Sequence, residues 1–217
     1  MSIRSVLLSF CLFLCCVPTA QAGDFKVSSG ALERTLRARL FNTPDRAAFL
    51  PGHPMAGKER GGAELADANL FRGAVWLFTD APDSQRSAQA NALIQGWREW
   101  IRAFDSKTID LDAARHDELV AWLSHLPQLV ATALSAVLED EVGDAPELKD
   151  VGGRGLREMT RLGASPFSMW RDIAHTNTGA IEAALLAMEQ RLAHIRENLR
   201  TPELREQFER ANQFRRE

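Results

Sequence analysis

The sequence predicts a chain of two unlike parts, an incomplete α/β layer followed by an all-helical unit, mostly helical overall. Three observations predict it. Before about residue 110, short apolar runs alternate with amphipathic segments, the order expected where helices cross between strands. Beyond residue 111 the apolar spacing is three and four residues throughout, which is helical. The first part offers three strand candidates, too few for a complete dinucleotide-binding sheet of about six. Composition sets the outer bounds. With 217 residues there is room for one domain or two small ones. Apolar residues at 45% and charged residues at 25% exclude a wholly disordered chain, a collagen-like repeat and a multi-span membrane protein. The net charge of −3 gives no basic excess, so neither nucleic acid nor a membrane surface is an expected partner. Tyr is absent, but 5 Trp and 11 Phe supply rings for a core.

Residues 1–22 read as a signal peptide or an artefactual start. Arg4 gives a positive flank, Val6 to Val17 an apolar run, and Ala20-Gln21-Ala22 a small-x-small cleavage site. The run is too short to span a bilayer comfortably. All three cysteines (Cys11, Cys15, Cys16) lie within it, so a cleaved chain would have neither disulfides nor thiolate chemistry.

Residues 23–110 form the expected α/β part. Leu32, Leu36 and Leu40 predict a helix over 30–41, and residues 47–50 (AAFL) a short strand. The Gly- and Pro-rich stretch 51–62 predicts a loop. Residues 73–79 (GAVWLFT) predict a second strand, ended by the turn-prone Asp80-Ala81-Pro82-Asp83. A helix follows over about 84–104, with Leu93, Trp97, Trp100 and Phe104 on one face, then a third strand over 107–110.

Residues 111–217 form the expected helical unit. Asp112 is a natural cap for a long helix whose apolar face runs Leu119, Leu123, Leu126, Val130, Leu134, Val137, with Pro127 kinking it. Residues 151–155 (VGGRG) break the chain before a helix over 156–163. Ser165-Pro166 reads as a cap followed by an N1 proline. The stripe Ile181, Leu185, Met188, Leu192, Ile195, Leu199 suits helix–helix packing and predicts a homodimer built through it. Thr201-Pro202 opens a last, charged helix.

Several motifs bear on chemistry. Residues 52–59 (GHPMAGKE) mimic the phosphate-loop spacing but end in Glu59 where a magnesium-binding hydroxyl belongs, and Pro54 removes an amide that would face phosphate. His53, between Gly and Pro in a stiff loop, is a candidate proton or hydrogen-bond acceptor near neutral pH; a solvated loop histidine is the equal alternative. Arg157 and Arg161 lie four apart on one helix, with Arg154 and Arg171 nearby. Their planar forks suit a dianionic small molecule, although a solvated face neutralised by Glu158 and Asp172 is the simpler reading of the residues alone. His116 and His125 are nine apart, which is not a metal-binding spacing, so no metal is expected. Adjacent helical side chains diverge, so Ser124-His125 is no catalytic dyad and His125 reads as a satisfied core group. No GxGxxG occurs, and residues 152–155 read as an inter-helix turn.

Three ordered stretches, PGHPMAGKERGGAELADANLFRG, HDELVAWLSHLPQLVATAL and GGRGLREMTRLGASPFSMWRD, together resemble the prephenate/arogenate dehydrogenase family over about residues 46–217. The resemblance implies a nucleotide-binding domain followed by a helical dimerisation domain. It implies oxidative decarboxylation of prephenate to 4-hydroxyphenylpyruvate with NAD or NADP, in tyrosine biosynthesis, by a cytoplasmic homodimer. It assigns His53 as the group taking the substrate hydroxyl proton and Arg161 as the carboxylate-binding cation. Arg157 stands where many relatives have Lys, and Glu59 and His116 match positions near the family's site. Gln128 replaces a histidine of the family's SHLPH and offers a neutral hydrogen bond to substrate. Relatives also carry a GxGxxG turn, absent here, and a DxGSxK-like segment, which would fall at 24–30 with Val27 and Ser29 at its Ser and Lys positions. The cofactor-binding residues are therefore unassigned and a chain truncated at the cofactor site is expected, with exposed strand edges favouring aggregation. The rival expectation is non-catalytic: an exported helical dimer or a carboxylate-binding module.

Overall fold

The computed structural model describes residues 50–57, 64, 66–79 and 87–216. The signal-like segment, the helix expected over 30–41, the strand expected over 47–50 (apart from Leu50) and Lys58-Glu59 lie outside the described residues.

The chain runs β1 (Gly52–Pro54), β2 (Val75–Phe78), α1 (Ala88–Ala103), β3 (Lys107–Asp110), α2 (Ala113–Val120), a π-helical turn (Ala121–His125), α3 (Leu126–Val142), α4 (Leu148–Val151), α5 (Arg154–Thr160), a 3-10 turn (Arg161–Ala164), α6 (Phe167–Thr176), α7 (Thr178–Glu197) and α8 (Pro202–Arg216). The three strands form one sheet in the order β1-β2-β3. β2 and β3 pair in parallel, with α1 as the crossover. β1 pairs antiparallel to β2, with Gly52 opposite Phe78, His53 opposite Leu77 and Pro54 opposite Trp76.

β1 corrects the sequence expectation. Gly52-His53-Pro54 lies inside the expected loop, yet Met55 N–H donates to Val75 C=O at 2.8 Å and Thr79 N–H to Pro51 C=O at 3.2 Å. Pro54 is compatible because β1 lies at the sheet's edge among the described residues, where a missing donor costs no ladder bond. Gly52 is needed for close approach: a Cβ there would lie 2.7 Å from Trp76 Nε1 and 3.1 Å from Phe78.

Trp76, Phe78 and Ile101 form the core of this part, with Leu50, Phe71 and Trp97 packed around them. Phe78 and Ile101 are wholly buried, each contributing about 1.5–3 kcal/mol. Ser87 accepts from Ala90 N–H and caps α1. The buried face of α1 is Ala90, Ile94, Arg98 and Ile101 rather than the expected Leu93-to-Phe104 stripe. Trp97 reaches the core's margin and the aromatics touch one another along the helix, Trp97 and Trp100 tilted at 5.1 Å and Trp100 and Phe104 edge-on at 4.5 Å between ring centroids. Arg98 is buried because it grips both oxygens of Asp110, at 2.6 and 3.0 Å, and lies 4.3 Å over the Phe78 ring. The α1–β3 turn places Asp105 at φ 64°, and its carbonyl accepts from Gly73, itself at φ 72°. Only glycine takes that second conformation without strain.

Asp112 caps α2 as expected, accepting from Arg115 N–H at 2.9 Å. Residues Ala113–Val142 then run as one helical rod, long and apolar enough by composition to cross a bilayer; here the 3-10 turn, α5 and α7 pack on it. Just before Pro127 the rod widens into the π turn, where Leu126 N–H reaches Ala121 C=O. The buried face departs from the expected stripe. Val120, Ala121, His125, Leu126, Gln128 and Ala131 face inward, whereas Leu123 and Val137 of the expected stripe are exposed. The helix expected over 156–163 begins at Arg154 and tightens into the 3-10 turn from Arg161. Pro166, not Ser165, is the cap residue of α6, because the Ser165 hydroxyl donates to Gln128 Oε1 instead.

Candidate functional site

Alternation along β1 decides where His53 points. Gly52 faces the Trp76–Phe78 side of the sheet, so His53 and its cross-strand partner Leu77 face the other side. There the His53 ring meets the first turn of the helical rod. Its Nδ1 lies 2.9 Å from His116 Nε2, with ring centroids 5.2 Å apart. His116 Nδ1 lies 2.9 Å from Asp117 Oδ1. Asn177, between α6 and α7, donates to the Asp117 carbonyl at 2.8 Å and lies 3.4 Å from His125 Nδ1. His125 is buried in the π turn, edge-on to Trp170 at 5.9 Å.

The cluster is electrostatically coherent. Burial is the first cause holding the His53 imidazole below the ordinary histidine range, with repulsion from a charged His116 and then His125 adding to it. Burial likewise lowers His125, against the opposing pull of Asp117. A base held low in this way is unprotonated at neutral pH and free to accept. Among the described residues, no group of His, Cys, Asp or Glu could hold a metal ion.

The expected cations sit on the helix that packs against α3. Arg157, on α5, donates to the Gly152 carbonyl at 3.0 Å, using one of its five N–H groups. Arg161 heads the 3-10 turn and is exposed. Arg154 pairs with Glu158 at 2.6 Å and Arg171 with Asp172 at 2.8 Å, so acidic neighbours engage these outer two. Gln128 is buried and bound within the protein. Its Nε2 donates to Leu162 C=O at 2.6 Å and to Thr132 Oγ1 at 3.2 Å, and its Oε1 accepts from Ser165. It therefore braces the turn that begins at Arg161. Glu59 lies outside the described residues.

Sequence reasoning missed three members of this arrangement. Asp117 carried no signal beyond following a histidine. Asn177 and Ser165 act through tertiary contacts 60 and 37 residues away in sequence. The connection from β2 to α1, residues 79–87, contains no glycine in the sequence.

Comparison with known proteins finds relatives of both parts of the chain. The family model for the nucleotide-binding domain of prephenate dehydrogenase matches residues 30–100, and that for its dimerization domain matches residues 112–213. A prephenate dehydrogenase of Lactococcus lactis is 31% identical over 129 residues, 59% of this chain and 33% of the relative. A cyclohexadienyl dehydrogenase of Zymomonas mobilis is 31% identical over 161 residues, 73% of this chain and 50% of the relative. Among solved structures, prephenate dehydrogenase of A. aeolicus in complex with hydroxyphenyl propionate and NAD+ is 28% identical with a TM-score of 0.60, over 77% of this chain and 56% of that one. Synechocystis arogenate dehydrogenase is 26% identical with a TM-score of 0.64, over 99% and 76%. The chain spans between a third and a half of the length of the two curated relatives named here.

Proposed function

The chain belongs to the prephenate dehydrogenase family, and on that footing we propose that it binds prephenate at the joint between sheet and helical rod and acts in its NAD(P)-dependent oxidative decarboxylation, in the cytoplasm. The observation that carries this reading is the His53–His116 contact at 2.9 Å, which seats a neutral imidazole where the two parts of the chain meet.

The reaction removes a hydride from the ring carbon bearing the hydroxyl while the bond to the ring carboxylate breaks and CO2 leaves. The electrons of that bond aromatise the ring. NAD(P) supplies the hydride acceptor in the family; the steps assigned to this chain are those of its own residues. His53 accepts the hydroxyl hydrogen as carbonyl character develops, then returns it to the phenol oxygen. Arg161, aided by Arg157, holds the carboxylates, because a guanidinium fork matches a carboxylate's two oxygens. His116 orients His53, and Glu59 lies seven residues beyond the sheet's first strand residue, within the same motif. Gln128 acts indirectly, by holding the Leu162 carbonyl next to Arg161.

The functional form we propose is a homodimer. Leu186 and Leu192 on α7, Leu199 beyond it, and Phe208 and Phe214 on α8 are all more than half exposed in one chain, an apolar surface that a second copy would cover. Sedimentation should give a dimer at micromolar concentration.

Calorimetry tests the substrate reading. Prephenate should bind the wild-type chain, and Arg161→Gln should weaken it at least about tenfold, the loss of one charge-assisted carboxylate contact. Absence of prephenate binding, with and without NAD+, overturns the proposal.

A further inference from the structure

Resting on the role proposed for His53, we infer that Asp117 and His116 act as a positioning pair that fixes the tautomer of His53, leaving its Nε2 lone pair as the proton acceptor. The Asp117 carboxylate sets the direction of the chain of bonds. Asp117 Oδ1 can only accept, so at 2.9 Å it selects the His116 tautomer with hydrogen on Nδ1. In neutral His116 the other nitrogen, Nε2, then carries a lone pair. That lone pair lies 2.9 Å from His53 Nδ1. Two lone pairs cannot face one another at this distance, so His53 Nδ1 must carry its hydrogen and donate. The hydrogen on His53 is thereby committed to the inner nitrogen, and Nε2 is left bare.

The opposite arrangement needs a neutral His116 to turn a lone pair toward the Asp117 carboxylate, which is repulsive. Partial burial makes that penalty larger than in water: the His116 side chain is 16% exposed. The pair is also held from behind. Asn177 ties the Asp117 backbone to the start of α7, so the carboxylate cannot drift with a fraying helix end. When His53 accepts a proton at Nε2, its Nδ1–H bond becomes charge-assisted and His116–Asp117 shares the positive charge. Asp117 does not take the proton. It supplies direction, and it does so across 63 residues of sequence between His53 and His116.

Side-chain NMR of the isotope-labelled full chain at about pH 8, above the ordinary histidine range, reads the tautomer directly. His53→Asn serves to assign its signals. In the wild type, His53 should show a protonated Nδ1 and a bare Nε2. Asp117→Asn keeps an acceptor oxygen and should preserve that pattern. Asp117→Ala should move the tautomer ratio toward Nε2–H by roughly tenfold, the size of one charge-assisted hydrogen bond. A wild-type His53 protonated on Nε2 overturns the inference, as does an Asp117→Ala chain with an unchanged ratio. The measurement needs no ligand. A bare Nε2 in a chain that fails to bind prephenate would leave the tautomer intact and overturn only the substrate reading.

Discussion

Gln128→Leu isolates the brace behind Arg161. The substitution keeps the side chain's approximate volume and removes its three polar contacts. These are not equal. Thr132 keeps a second partner, because its hydroxyl donates to the Gln128 main-chain carbonyl at 3.0 Å. Ser165 is half-buried and can turn its hydroxyl to water. The Leu162 carbonyl is the serious loss. It receives the shortest of the three bonds, 2.6 Å, and retains only the Ser165 N–H at 3.0 Å inside its own turn. A net loss of about 1–2 kcal/mol follows, one good hydrogen bond plus part of an unsatisfied carbonyl. With a urea m-value of about 2 kcal/mol/M, the midpoint should fall by roughly 0.5–1 M at unchanged m. Hydrogen exchange should accelerate first in the amides of residues 161–165. An unchanged midpoint, or exchange that speeds up evenly through α3, would refute the idea that this amide holds the turn.

Gly163→Ala attacks the same turn from the other side. The added Cβ would meet the Ser135 hydroxyl and lie 3.1 Å from Ser135 Cβ, so a cost of about 1–3 kcal/mol is expected in urea unfolding; a neutral result would mean the turn can lift off α3 freely. Asp110→Ala leaves the buried Arg98 guanidinium without its carboxylate, for a loss of about 1–2 kcal/mol once the exposure of Asp110 is discounted, read as a lower melting temperature. Stability should also depend on pH through the histidines. His53 and His125 have folded pKa values below the unfolded value of about 6.5. The unfolded chain therefore binds more protons in this range, so their contribution is full above about pH 6.5 and is lost as pH falls through the lowered folded values. The urea midpoint should drop as pH falls below about 7, and less so in His53→Gln; a flat profile would contradict the lowered folded values of these imidazoles.

What the sequence made legible was local. The Asp112 cap needed only a side-chain oxygen three residues before a free amide, and the structure has that bond. The strand at 75–78 was legible because apolar β-formers stand between turn residues, and that at 107–110 because β-branched Thr108 and Ile109 follow the end of a helix. β1 was not, because Gly and Pro read as loop when considered alone and only the pairing with β2, more than twenty residues on, makes them a strand. The face of α1 was misjudged for a related reason. Large rings mark a stripe as apolar, but here they touch one another at 4.5–5.1 Å and only Trp97 of them packs at the core's margin, while smaller Ala90 and Ile94 are buried with an arginine beside them. Of the candidate site, the residue types were legible and the partnerships were not. His53 stood out in its motif, whereas its bond to His116 and the Asp117 behind it exist only in the folded chain.

Pro127 connects these observations. In a regular α-helix its ring would press on the Leu123 carbonyl, and the missing N–H would leave that carbonyl without its partner. The chain relieves this by widening the preceding turn by one residue. Ala121, His125 and Gln128, spaced i, i+4 and i+7, share the buried face, whereas Leu123 and Val137 are exposed. Two polar side chains thus enter the interior, which burial energy alone would oppose. It is tolerated because each polar group meets a partner there: His125 beside Asn177 and Trp170, and Gln128 against Leu162, Thr132 and Ser165. A ring and an amide on one face of the rod thus meet Asn177 and the turn that begins at Arg161.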